Sequence, residues 1–229
     1  MNKIIAQKQA KKSLLLVVPA SSIGVTMATI IAPNLIGQTI FTIIKIWIVL
    51  IPLLWVIKVE KKYLRLPSIT HKQINSGVIL GLIMFSAIAV SYLLVGQSLI
   101  DVSAIRTQAT SVGIVNVGIY LAGCAYWSFI NSFLEECIWR GFVYRQCRIL
   151  IPGLGAILFS GLFFTLHHII ALAFYTQNWL ITLLGSLGVL IAGIIWSVAY
   201  RKFGLWSCYI SHILADLAIA VVGWHLLFT

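Results

Sequence analysis

Phe133-Leu134-Glu135-Glu136-Cys137-Ile138-Trp139-Arg140 sets two adjacent carboxylates inside an otherwise apolar run. Ionisable groups in such surroundings are rare and expensive, so by default they mark function. The chain has only five acidic residues, and Glu135, Glu136 and Asp216 all lie within or at the ends of long apolar segments. Three of its five histidines, His167, His168 and His212, share that setting. A protein that avoids charge elsewhere has gathered its titratable groups into three segments.

The surrounding composition fixes the class. Of 229 residues, 61% are hydrophobic and 9% charged, and the mean hydropathy is +1.04. No soluble domain has this balance. The net charge of +11 comes from short basic clusters between apolar spans, which suit an anionic lipid surface and not a nucleic acid. Cys124, Cys137, Cys147 and Cys208 show no CxxC spacing, so neither a disulfide framework nor a zinc ribbon is expected.

A membrane helix needs about 20 mostly apolar residues. Candidates run over Ser13 to Ala32, Leu35 to Ile57, Ile74 to Leu99, Ser111 to Leu134 and beyond, Gly153 to Tyr175, Trp179 to Tyr200, and Gly204 to Phe228. The expected fold is therefore an all-α polytopic bundle of about seven transmembrane helices, one membrane domain over residues 1–229. The lysines before Ser13 precede a retained first span, since the apolar stretch is too long for a signal-peptide core.

Alternating the spans puts Lys3, Lys8, Lys11, Lys12, Lys58, Lys61, Lys62, Arg65, Lys72, Arg140, Arg145, Arg148, Arg201 and Lys202 on one side. That is 14 of 16 basic residues, which predicts a cytoplasmic N-terminus. Arg106 falls on the other side and Lys45 within a span. Pro33-Asn34 reads as a tight turn. Gly77 and Gly81 form a GxxxG that would let another helix approach closely.

On a helix, residues four apart share a face, so Glu136 and Arg140 are natural partners and Glu135 points elsewhere. Phe164-Thr165-Leu166-His167-His168 puts two histidines deep in span five, of which one can face a given site. His212 and Asp216 share a face of span seven. At about 1.5 Å per residue, His212 and Asp216 lie roughly 12 and 18 Å from one end, His168 roughly 22 Å and Glu135 roughly 20 Å. These depths predict one site near mid-membrane, in a cavity open to the cytoplasm. A glutamate beside histidines can activate water, and His with Asp can stabilise a developing oxyanion. The matching chemistry is amide hydrolysis. The competing class is a non-enzymatic membrane protein, such as an immunity protein or a proton-coupled transporter.

Glu135-Glu136-x-x-x-Arg140, Phe164-x-x-x-His168 and His212-x-x-x-Asp216, in that order on membrane helices, resemble the CAAX-protease and bacteriocin-processing (CPBP, or Abi) family. The resemblance covers residues 111–220, and residues 1–110 share only hydrophobicity. It implies an intramembrane endopeptidase acting near the C-terminus or leader of membrane-associated or lipidated peptides. By matching position, Glu135 would be the base, His168 its partner, and His212 with Asp216 the oxyanion group. Glu136, Arg140, Phe164 and His167 would support them.

Two positions depart from the family pattern. Asp216 stands where the family has asparagine, so it must be protonated, orient His212 or bind a metal. Phe163-x-x-x-His167 fits the second motif as well as Phe164-x-x-x-His168 does, and Ser160-Gly161 before Phe164 favours His168. Metal-independent glutamate catalysis is the expectation, and a zinc ion would call on Glu135, His168 and His212. The expected partners are membrane lipid and a lipidated or C-terminally anchored peptide, and the expected location is a bacterial plasma membrane.

Overall fold

The computed structural model describes residues 3–63 and 66–229, so Arg65 lies outside the described residues. Seven helices are long and apolar enough to cross a membrane: α1 (Lys3–Ile31), α2 (Leu35–Val59), α3 (His71–Leu99), α5 (Val117–Leu150), α6 (Leu154–Thr176), α7 (Trp179–Lys202) and α8 (Leu205–Phe228). A short helix, α4 (Val102–Ser111), sits between α3 and α5. The chain is an all-helical integral membrane protein, with no strand among the described residues.

Polar residues mark the breaks. Asn34 caps α2 by accepting from the backbone N–H of Ile36 at 2.9 Å, and Thr70 with Gln73 forms a reciprocal capping box on α3. Asp101, Asn116 and Asn178 cap α4, α5 and α7. Each satisfies N–H groups that hydrocarbon would leave without partners.

Span four differs from its expected bounds. Residues from Ser111 to Asn116 do not begin it, because Gly113 turns the backbone to φ +95° and Asn116 caps a fresh helix. At its far end the helix continues to Leu150, past both glutamates. Trp139, Arg140, Phe142, Val143 and Tyr144 are all at most 2% exposed, which makes this second half of α5 the centre of the bundle. The outer faces carry exposed Leu15, Ile43, Ile83, Leu158 and Leu187, apolar surface suited to lipid.

The pairs α1–α2, α3–α8 and α6–α7 pack along each other. Gly77 and Gly81 do what the spacing predicts: a Cβ there would meet Ile210 Cβ at 2.8 Å and Ser211 Cα at 3.0 Å. Gly161 and Gly193 similarly bring α6 onto α7, with 3.0 Å from an added Gly193 Cβ to Gly161 Cα.

At the basic end, Glu60 ties the end of α2 to α5. Its carboxylate accepts from Arg145 Nη2 at 3.0 and 2.9 Å, Gln146 Nε2 at 2.8 Å and Lys62 Nζ at 3.0 Å. Burial pushes the Glu60 carboxyl up, but the hydrogen bond from Lys62, the charge of Arg145 and the bond from Gln146 outweigh it and hold it below the ordinary carboxylate range. A group depressed in this way contributes stability that is present above its unfolded value and is lost as pH falls through its folded one. Thermal melts in detergent should therefore show an acid-side loss of about 1 kcal/mol or less, given partial exposure. The Glu60→Gln variant should lack that portion of the loss.

Candidate active site

Each half of the first motif has its own environment. Glu136 is fully buried and its Oε1 lies 3.2 Å from Arg140 Nη1, the i, i+4 pairing the sequence predicts. The same oxygen accepts a hydrogen bond from His212 Nδ1 at 2.8 Å. A carboxylate only accepts, so Nδ1 carries the hydrogen and Nε2 points to the other side of the ring. That side holds Glu135 Oε2 at 3.9 Å and Asp216 Oδ1 at 3.7 Å. Glu135 is 7% exposed and lines a cavity of about 560 Å³, together with Lys45, His167, His168, His212 and Asp216.

His168 is positioned by its own motif. Its Nδ1–H donates to the Phe164 carbonyl at 2.9 Å, which leaves Nε2 as the acceptor in the neutral ring. The Phe164 ring has a second task. Arg140 Cζ lies 4.4 Å from its centroid and 5.0 Å from that of Trp196, so the buried guanidinium is held between two aromatic faces. This cation–π contact compensates in part for guanidinium N–H groups that have no hydrogen-bond partner among the described residues. Both imidazoles of the doubled histidine line the cavity. His167 stacks on Trp139 with centroids 5.4 Å apart and an angle of 12°, and lies 4.1 Å from the His168 ring.

Three features were not expected. His212 and Asp216 share a face, but at 3.7 Å they are not hydrogen-bonded. Asp216 instead contacts Ser132 Oγ at 2.5 Å, and His212 is oriented by Glu136 from below and by Trp196 stacked at 4.2 Å. The sequence gives no signal for Trp196, since an aromatic residue in an apolar span is the ordinary case. Ser132 and Asn131 precede Glu135 by three and four residues, a spacing that could have named both.

The second feature is the backbone of α5. It winds as a π-helix over Tyr126–Asn131 and again over Glu136–Tyr144, bracketing Glu135. Such wide turns are uncommon and concentrate at functional sites. They set the angle between the Asn131, Glu135 and Arg140 side chains, which no residue pattern announces.

The third is the direction of the cavity. Its lining runs from Glu135 toward Ile105 and Ala109 of α4 and Leu226 of α8, at the end opposite the basic clusters. The expected hollow opening toward the basic end is not seen among the lining residues. Trp139, Arg140, Phe142 and Tyr144 fill that half of the bundle.

Among the described residues, no three His, Cys, Asp or Glu side chains are grouped as a metal ion would require.

Residues 117–218 match the family model described as Type II CAAX prenyl endopeptidase Rce1-like. No curated protein and no solved structure matches the chain. All three motifs, from Glu135 to Asp216, fall inside the matched residues. Over residues 117–218, this membrane-embedded chain is similar to the Rce1-like CAAX endopeptidase family.

Proposed function

We propose that the protein is an intramembrane endopeptidase in which Glu135 activates water against a peptide bond. The observation that carries this reading is the division of labour between adjacent carboxylates. Glu136 is neutralised by Arg140 and spent on orienting His212, whereas Glu135 faces the cavity with two imidazoles close by.

Glu135 takes a proton from water as its oxygen attacks the scissile carbonyl carbon. His168 Nε2, kept unprotonated by the bond from Nδ1–H to Phe164, accepts the second hydrogen of that water and so fixes its lone pair on the target. His212 in its doubly protonated form donates from Nδ1 to Glu136 and from Nε2 to the developing oxyanion. Collapse of the tetrahedral intermediate breaks the C–N bond, and the proton held by Glu135 passes to the departing amine. The mechanism is metal-independent.

Asp216 fits this scheme in its protonated form. Ser132 Oγ is 2.8 Å from the Trp127 carbonyl and 2.5 Å from Asp216 Oδ2, yet a hydroxyl has one hydrogen to give. With the serine donating to Trp127, a proton on Asp216 completes the second bond. A neutral Asp216 does not repel an oxyanion and serves where the family has asparagine.

The apolar lining, with Ile105, Ala109, Ile219 and Leu226, suits a substrate with apolar residues beside the cut. Membrane-associated or lipidated peptides cleaved near a terminus are the class supported by family and cavity together. The test is to reconstitute the protein in vesicles with C-terminally anchored peptides and identify products by mass. Hydrolysis in heavy-oxygen water should place one labelled oxygen in the new carboxyl group. A wild-type protein that leaves every such peptide whole would overturn the reading.

A further inference from the structure

Lys45 lies outside the family-matched residues, in the middle of a span whose mean hydropathy is 2.6. A lysine there is expensive, and near a helix end it would reach for the interface. Here its Nζ turns inward, donating to Asn131 Oδ1 at 2.7 Å and standing 3.8 Å from Glu135 Oε1. The Trp127 ring lies beneath it, with its centroid 5.0 Å from Nζ. No other lysine or arginine is among the residues lining the cavity.

Two roles suit a cation beside a base: holding a substrate carboxylate, or holding the base itself. Distance decides between them. Three residues of extended chain reach about 10 Å, so the terminus of a peptide cut near its end would lie well beyond a group 3.8 Å from the base. Lys45 is beside the reacting bond, not at the substrate's end. It is also already engaged with Asn131, one turn of α5 before Glu135, which fixes the ammonium relative to the carboxylate.

We infer that Lys45 is a positioning residue that keeps Glu135 ionised and aimed into the cavity, supplying from α2 a positive charge that lies outside the motif-bearing helices. The inference rests on the endopeptidase reading. Glu135 is faced by Lys45 from α2, His167 and His168 from α6, and His212 and Asp216 from α8, with the Glu136–Arg140 pair on its own helix. Arg140 is committed to Glu136 and the imidazoles are cationic only when protonated, so Lys45 is the cation that is present throughout.

The test compares Lys45→Met and Lys45→Arg in vesicles. Removing an opposite charge at this distance changes the acid dissociation constant of a carboxylate by about 10- to 1,000-fold. Lys45→Met should therefore move the acid limb of the kcat–pH profile upward by about 1 to 3 pH units with KM unchanged, so that the loss is greatest on the acid side and recovers as pH is raised. Lys45→Arg should keep most of the activity. A Lys45→Met enzyme as active as wild type, or one whose loss ignores pH, overturns the role for Lys45 while leaving the endopeptidase intact.

Infrared spectroscopy reads the same point without turnover. As pH is lowered, Lys45→Met should gain a protonated-carboxyl band at a higher pH than the wild type does, and that band should be missing from Lys45→Met with Glu135→Gln. Its absence overturns the inference even if no peptide is cleaved, and its presence in a protein that cleaves nothing separates the charge pair from the protease reading.

Discussion

Glu135→Gln should lower the rate of peptide cleavage by about 10²- to 10⁴-fold, the usual range for a positioned general base, with little change in thermal stability. The amide keeps the size of the carboxylate and can still contact Lys45 and His212, but it cannot take a proton from water. Glu135 is in the cavity wall and not in the filled half of α5, so its substitution leaves no unpaired buried charge apart from Lys45, which is 24% exposed and retains Asn131. The measurement is the initial rate on an anchored peptide alongside a melt in the same detergent. Cleavage at the wild-type rate would remove Glu135 from the chemistry. If the substitution instead abolished proton-linked uptake into vesicles, the carrier reading would replace the protease.

Arg140→Met should be the most destabilising single change in the site. Glu136 and Arg140 are both fully buried, and removing one member strands the other. Breaking such a pair costs about 3–5 kcal/mol, whereas replacing both with apolar groups of similar volume is often near neutral. Arg140→Met combined with Glu136→Met should thus recover much of the stability lost by Arg140→Met alone. It should not recover activity, because His212 Nδ1 then has no carboxylate to orient it. Thermal unfolding of the two variants, with cleavage measured in parallel, checks both halves. A double variant no more stable than the single one would mean that the ion pair is not what the arginine supports.

Much of this arrangement is legible in the residue order because the bilayer leaves few alternatives. Apolar length alone gives the seven spans, and the i, i+4 rule gives the Glu136–Arg140 contact and the separate orientation of Glu135. The Gly77 and Gly81 spacing gives a close helix neighbour without saying which, and the partner is α8.

What the pattern does not carry is equally specific. The start of α5 depends on a positive φ at Gly113, in a segment apolar enough to pass for helix. The π turns around Glu135 are announced by no local residue preference. Lys45 is conspicuous as a charge within a span, but its target is 90 residues away in sequence and appears only when α2 is set beside α5. The run of the cavity lining toward α4 goes unannounced for a related reason. Depth along a helix says how far a residue lies from an end, but not which half of the bundle large side chains will fill.

The narrow seam between α3 and α8 has a consequence for how this protein can change. Gly81 abuts Ser211, whose hydroxyl receives the Trp196 indole N–H at 2.8 Å, and Trp196 is the platform under His212. Bulk added at Gly81 would lever that ladder away from the imidazole it supports. The leading half of the chain thus holds a veto at this one small residue over the alignment of His212.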